Sequence, residues 1–128
     1  MKLLLDTCTF LWIVAGAPEL SDLARRAFTA PDNEVYLSAV SAWEIAVKHG
    51  LGRLPLPTPP SDFVPEMRQR HGIAPLALSE EAALLLGKLP SNHRDPFDRM
   101  LICQATAEGL VLLTPDEQIA SYPVRTLW

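Results

Sequence analysis

Leu3-Leu4-Leu5-Asp6-Thr7 decides how the rest of the chain reads. Three consecutive leucines leave an extended segment no solvent face, so the run predicts a strand covered on both sides, closed by an acid. Val35-Tyr36-Leu37 and Val111-Leu112-Leu113 have the same character, and Val124 to Leu127 predicts a last strand. Between these runs lie segments with helix punctuation. Thr7 to Ala15 stops at Gly16 with Pro18 beyond, Ser21 opens a helix through Phe28, and Ser41 is expected to cap a helix that reaches Gly50. Asp62 to His71 and Ser79 to Lys88 read as helices on either side of the short apolar run Ile73 to Leu78. Asp95-Pro96 opens a helix that ends at Gly109, with proline at the first helical position where its missing donor costs least. Asp116 to Ser121 reads as a short helix. Strands alternating with helices, and apolar throughout, predict an α/β fold: three layers, with a central parallel sheet of four to five strands flanked by helices.

The proline-rich stretch Leu54 to Pro60 is expected to be an extended connection, because neither flank has enough core to stand alone. A single domain over residues 1–128 follows. Hydrophobic residues make up 48% of the chain, which rules out a disordered polar segment. The longest apolar run, Phe10 to Ala15, is too short to span a bilayer. Met1-Lys2 leads into a strand-like run that meets Asp6, so no signal peptide is expected and the cytoplasm is the default location. Cys8 and Cys103 fit free thiols and give no metal spacing. The formal charge of −4 argues mildly against a nucleic-acid binder, since such surfaces are usually basic. That argument reverses if clustered carboxylates hold cations where a phosphate must come.

Ligands in open parallel sheets bind beyond the carboxyl ends of the strands. Asp6 ends the first strand, and Asp116 follows Val111 to Leu113 across Thr114-Pro115. Glu44 falls in the first turn of the helix after the second strand, and Asp98 in the first turn of the helix before Val111. Four acids far apart in sequence are thus expected on one edge. Together they would repel one another unless hard divalent cations such as Mg²⁺ or Mn²⁺ joined them. Phosphodiester hydrolysis is the chemistry such a site supports, with a cation activating water or stabilising the leaving oxygen.

Each acid also has a structural reading. Ser41-Ala42-Trp43-Glu44 has capping-box spacing, and Asp95 and Asp98 fit N-cap and N3 positions. Asp116 fits a turn or N-cap. Asp6 is the hardest to explain as a solubilising residue, because it closes a buried strand.

The same residues resemble a known pattern. Leu4-Leu5-Asp6-Thr7, Ser38 to Lys48 and His93-Arg94-Asp95-Pro96-Phe97-Asp98-Arg99-Met100-Leu101-Ile102 resemble PIN-domain proteins, specifically VapC-type toxins of toxin–antitoxin pairs. Thr114-Pro115-Asp116 followed by Tyr122-Pro123-Val124 is similar to the family's closing motif. The resemblance implies a Rossmann-like PIN fold, Mg²⁺- or Mn²⁺-dependent cleavage of RNA, a cognate VapB-type antitoxin that covers the site, and a homodimer. It places Asp6, Glu44, Asp98 and Asp116 as catalytic metal ligands, with Asp95, Thr114 and Arg99 as accessory residues. Cys8 stands where many relatives have His.

Arg99 is expected to contact phosphate or pair with a site carboxylate, the surface ion pair being preferred, and Lys48 to be the helical partner of Glu44. His49, His71 and His93 are assigned no metal or acid–base work. Trp12 and Trp43 fall on apolar helical faces and are expected in the core or an interface. Arg25-Arg26 and Arg68 to His71 are the local basic clusters, read as solvated faces. Three other classes compete, one of them a receiver-like signalling domain, whose phospho-acceptor should end a middle strand where this chain has Ser38. An aspartyl-phosphate phosphatase needs a second Asp where Cys8 stands. A catalytically silent PIN-fold module that binds a protein partner would have lost one of the four acids, and none is missing.

Overall fold

The computed structural model describes residues 1–128. Its elements run β1 (Lys2–Leu5), α1 (Thr7–Ala15), α2 (Asp22–Thr29), β2 (Glu34–Ser38), α3 (Ala39–Gly50), α4 (Pro60–Arg70) and β3 (Ala74–Leu76). Then come α5 (Glu80–Leu84) with a 3-10 turn at Leu85–Lys88, α6 (Pro96–Glu108), β4 (Val111–Leu113), α7 (Glu117–Ala120) and β5 (Thr126–Leu127). The five strands form one sheet in the order β3-β2-β1-β4-β5, every pair parallel. The triple-leucine strand is therefore central, with Leu3, Leu4 and Leu5 all fully buried. The expected α/β architecture is present.

The period-two alternation of a strand builds the three layers. Leu3 and Leu5 face one side, where Val35, Leu37, Val111 and Leu113 join Phe10 and Ile13 of α1, Ile45 of α3 and Phe63 of α4. Leu4 and Leu112 face the other, against Leu101, Ile102 and Ala105 of α6 and Ile119 of α7. Fully burying each such side chain is worth about 1.5–3 kcal/mol before the entropy of ordering is counted.

From β1 the chain winds outward to β2 and β3 on one side, then returns to place β4 and β5 on the other. That reversal opens a crevice beyond the carboxyl ends of β1 and β4. The ends are tied together: the Asp6 amide donates to the Leu113 carbonyl, and Thr9 Oγ1 donates to the same oxygen at 3.0 Å.

Several boundaries differ from the sequence expectation. The apolar run after α4 supplies an edge strand, β3, so the Val111 strand is fourth in the chain. Pro75 sits within β3, where an edge position spares it one ladder bond. The last strand is shorter than Val124 to Leu127, and Ser79 to Lys88 is split between α5 and the 3-10 turn. Helix α4 starts at Pro60, so the proline-rich connection ends in a helix start, and Pro65 lies inside the helix. The most consequential correction concerns α3. Its cap is Ser38, whose Oγ accepts from the Val40 amide at 2.9 Å, rather than Ser41. Ser38 also donates to Gln104 Oε1, tying the end of β2 to α6. Glu44 therefore lies in the second turn of α3, and its capping-box reading fails.

Candidate active site

Asp6, Glu44, Asp98 and Asp116 line one open cleft of about 250 Å³ at the carboxyl edge of the sheet, with Thr7, Lys48 and Asp95 beside them. Local chain geometry delivers each acid. Asp6 leaves β1 in extended conformation and caps α1, accepting from the Thr9 amide at 2.7 Å. Its second oxygen accepts from Thr114 Oγ1, the residue that follows β4. Thr114 Oγ1 in turn accepts from the Asp116 amide at 3.1 Å, so one hydroxyl connects two of the acids. Asp116 caps α7, and its Oδ1 accepts from the Gln118 amide at 2.8 Å. Glu44 is 4% exposed and accepts from Thr7 Oγ1 at 2.7 Å. Ser41, one turn before it, can donate to Thr7 Oγ1 at 3.0 Å, since the single Thr7 proton goes to Glu44. Lys48 pairs with Glu44 across one helical turn, as the four-residue spacing expects.

The electrostatics are those of a site with excess negative charge. Desolvation raises the Asp6 carboxyl above its ordinary value, opposed by its Thr114 and Thr9 hydrogen bonds and reinforced by Asp116. Asp98 is pushed up to about 6, first by burial and then by Asp95, Glu44 and Asp6, with a hydrogen bond from His93 pulling the other way. The bond to Glu44, more than any other influence, raises Lys48. At the rim of the cleft, desolvation and the neighbouring Asp6 and Glu44 carboxylates push the Cys8 thiol up to about 11. Cys8 is thus a neutral thiol at physiological pH, not a nucleophilic thiolate.

Asp95 lines the cleft but spends its Oδ1 on capping α6, accepting from the Phe97 amide at 2.9 Å and the Asp98 amide at 3.2 Å. Arg99 corrects the sequence expectation. It turns away from the carboxylates and donates to the Leu89 carbonyl at 3.3 Å, so it makes no ion pair with the site. Trp12 lies at the cleft and stacks at a tilt on Trp128, centroids 5.8 Å apart. Trp43 is outside the core: it is 58% exposed and meets Phe97 edge-on at 4.8 Å.

His93 is the residue the sequence reading missed. Its Nε2 lies 2.8 Å from Asp98 Oδ2 and 3.7 Å from Asp116 Oδ2. The imidazole, assigned no metal or acid–base work from the sequence, sits among the acids. Only its place in the segment before Asp95-Pro96 gave any signal, and loop geometry is not readable from composition.

The donor set suits a hard divalent cation. Four carboxylates supply oxygens, and the burial and mutual repulsion seen at Asp98 are what a bound cation would relieve. Protein donors fix the orientation of the carboxylates, as the groups surrounding metal ligands commonly do.

The PIN-domain family model matches residues 3–124. A segment of 46 residues is 48% identical to ribonuclease VapC16 of Mycobacterium tuberculosis, covering 36% of this chain and 33% of that protein. The match thus spans about a third of that relative's length. Among solved structures, VapBC2 of Rickettsia felis, bound to a DNA fragment from its promoter, is similar with a TM-score of 0.74 and 14% identity. It covers 99% of this chain and 98% of that one. The DNA-bound VapBC of Salmonella typhimurium gives a TM-score of 0.70 and 20% identity, over 99% and 97% of the two chains. At these identities the structures speak for the fold, and the family match covers nearly all of the chain. The parallel five-stranded sheet with an acidic cleft at its carboxyl edge is a PIN fold, and this chain belongs to the PIN-domain family.

Proposed function

We propose that this chain is a Mg²⁺- or Mn²⁺-dependent endoribonuclease, the toxin of a toxin–antitoxin pair, whose catalytic metal ligands are Asp6, Glu44, Asp98 and Asp116. The convergence of these four acids in one open cleft carries the reading. Burial and repulsion at Asp6 and Asp98 are costly to the folded chain, which makes a solubilising or purely structural role a poor account of these two. A bound divalent cation would supply an activated water and stabilise the charge on the leaving oxygen. The chain's own residues supply position and charge. Thr9 and Thr114 hold Asp6 at the end of β1, and Thr7 fixes one oxygen of Glu44. Lys48, which lines the same cleft, balances part of the negative charge beside Glu44.

The similarity to a VapC ribonuclease supports RNA as substrate, and the VapBC complexes support a VapB-type antitoxin as partner. Trp43 and Val47 of α3 and Leu51, the residue that ends it, are exposed at four-residue spacing, giving a stripe that an antitoxin helix can cover. A partner arginine reaching the acids would gain charge-assisted hydrogen bonds and exclude the cation. The same reading carries a homodimer and a cytoplasmic location; no helix is long and apolar enough to cross a membrane.

Incubation of the purified chain with total RNA tests the proposal. Discrete cleavage products are expected with Mn²⁺, and none with excess EDTA or from Asp6→Asn. Undiminished cleavage in EDTA would overturn the metal-dependent reading. In cells, expression should arrest growth, Asp6→Asn should not, and the antitoxin gene should rescue.

A further inference from the structure

His93 sits in a stretch without regular structure, between the 3-10 turn and α6, yet its side chain is only 11% exposed and points among acids. Two hydrogen bonds explain how a loop residue is held there. The His93 amide donates to the Tyr122 hydroxyl at 2.8 Å, and that hydroxyl donates to the Pro90 carbonyl at 2.7 Å. Tyr122 itself is 3% exposed, within the cluster that contains Ile119 and Leu101. One phenol therefore straps both ends of the Pro90–His93 stretch to the core. Tyr122 also lies two residues beyond the end of α7, and α7 is the helix capped by Asp116. The anchor of His93 and the platform of Asp116 are the same piece of chain.

The imidazole has a defined task in this arrangement. Asp6, Glu44 and Asp116 each have a carboxylate oxygen fixed by a threonine or a backbone amide. For the Asp98 carboxylate the only protein hydrogen bond is the one from His93. Without it, repulsion from Asp95, Glu44 and Asp6 favours a rotamer turned out of the cleft. We propose that His93, strapped by Tyr122, is a positioning residue: its Nε2–H holds Asp98 in its cation-binding orientation and registers it against Asp116. This rests on the metal-dependent reading above. A His–Asp pair that served only as a surface ion pair would contribute little to stability and nothing to metal affinity.

Mn²⁺ binding to the RNA-free protein, measured by electron paramagnetic resonance, separates these roles, with a thermal melt in EDTA to verify folding. His93→Phe should weaken Mn²⁺ binding by about 10–100-fold, the usual loss when an outer partner of a ligand is removed. His93→Gln keeps an N–H donor near the Nε2 position and should recover most of that loss. Tyr122→Phe removes the strap, keeps the ring, and should weaken Mn²⁺ several-fold while leaving His93 intact. This last variant carries the test if His93→Phe does not fold. Unchanged Mn²⁺ affinity in folded His93→Phe or Tyr122→Phe would overturn the positioning role. Folded His93→Gln as weak as His93→Phe would overturn it too, in favour of the imidazole ligating the cation directly. A wild-type chain that binds no Mn²⁺ would instead overturn the metal-dependent function itself.

Discussion

Replacing Asp98 by Asn should make the metal-free protein more stable while destroying its activity. Burial and three neighbouring acids raise the Asp98 carboxyl from 3.8 to about 6. A group raised in this way binds its proton more tightly in the folded than in the unfolded chain. The folded state therefore loses relative stability as pH climbs between the two values, and the loss is complete above about 6. At 1.36 kcal/mol per tenfold change in proton affinity the cost approaches roughly 3 kcal/mol. The side chain is 18% exposed, so residual solvation reduces this, and about 2 kcal/mol is a fair expectation. Asn keeps the shape, and its carbonyl still accepts from His93. In EDTA at pH 7.5, Asp98→Asn should melt several degrees above wild type, roughly 5 °C or more. At pH 4.5, inside that window, the folded wild-type carboxyl is largely protonated and the difference should shrink to well under half, vanishing only below about 3.8. Saturating Mn²⁺ should reverse the order, since at a hundredfold excess over Kd a ligand stabilises its protein by about 2.7 kcal/mol. Differential scanning fluorimetry across pH, with and without Mn²⁺, reads all three. A variant that melts at or below wild type in EDTA at pH 7.5, or whose advantage is the same at pH 4.5, would refute the reasoning.

The raised Asp98 also sets the pH dependence of metal binding: with a proton competing at about 6, Mn²⁺ affinity should fall about tenfold from pH 7 to pH 5, measured by titration calorimetry. Thr114→Val removes the donor to Asp6 and the acceptor for the Asp116 amide, so urea denaturation should show a loss of about 1–3 kcal/mol and cleavage should drop with it. Arg99 faces the Leu89 carbonyl rather than the cleft, so Arg99→Met should leave kcat/KM for RNA within a few-fold of wild type; a hundredfold loss would put the guanidinium on the substrate.

Much of this was legible before any coordinates. The leucine run of β1 was readable because a strand covered on both faces has no polar position, and Leu3 and Leu5 do pack on the face opposite to Leu4. The placing of Asp6, Glu44, Asp98 and Asp116 on one edge followed from the rule that sheet ligands lie beyond the strands' carboxyl ends, and the cleft brings all four together. Helix starts were less legible where two candidate caps compete. Ser38 and Ser41 both precede an apolar periodic run, and the choice of Ser38 depends on Ser41 being drawn into the buried Thr7 hydroxyl network. Nothing local announces a contact with a residue 34 positions away. His93 was illegible for the same reason: its position is fixed by Tyr122, which lies 29 residues later. Arg99 shows the opposite error, since adjacency to Asp98 in sequence says little about direction on a helix, where neighbours point about 100° apart.

The most direct test of the central claim is the position of Mn²⁺ located by anomalous scattering in crystals of the wild-type chain. The account predicts a peak in the cleft at about 2.1 Å from carboxylate oxygens of the Asp6, Glu44, Asp98 and Asp116 set, and no peak there in Asp6→Asn. Mn²⁺ bound elsewhere, in a protein that cleaves RNA only when Mn²⁺ is supplied, would contradict it.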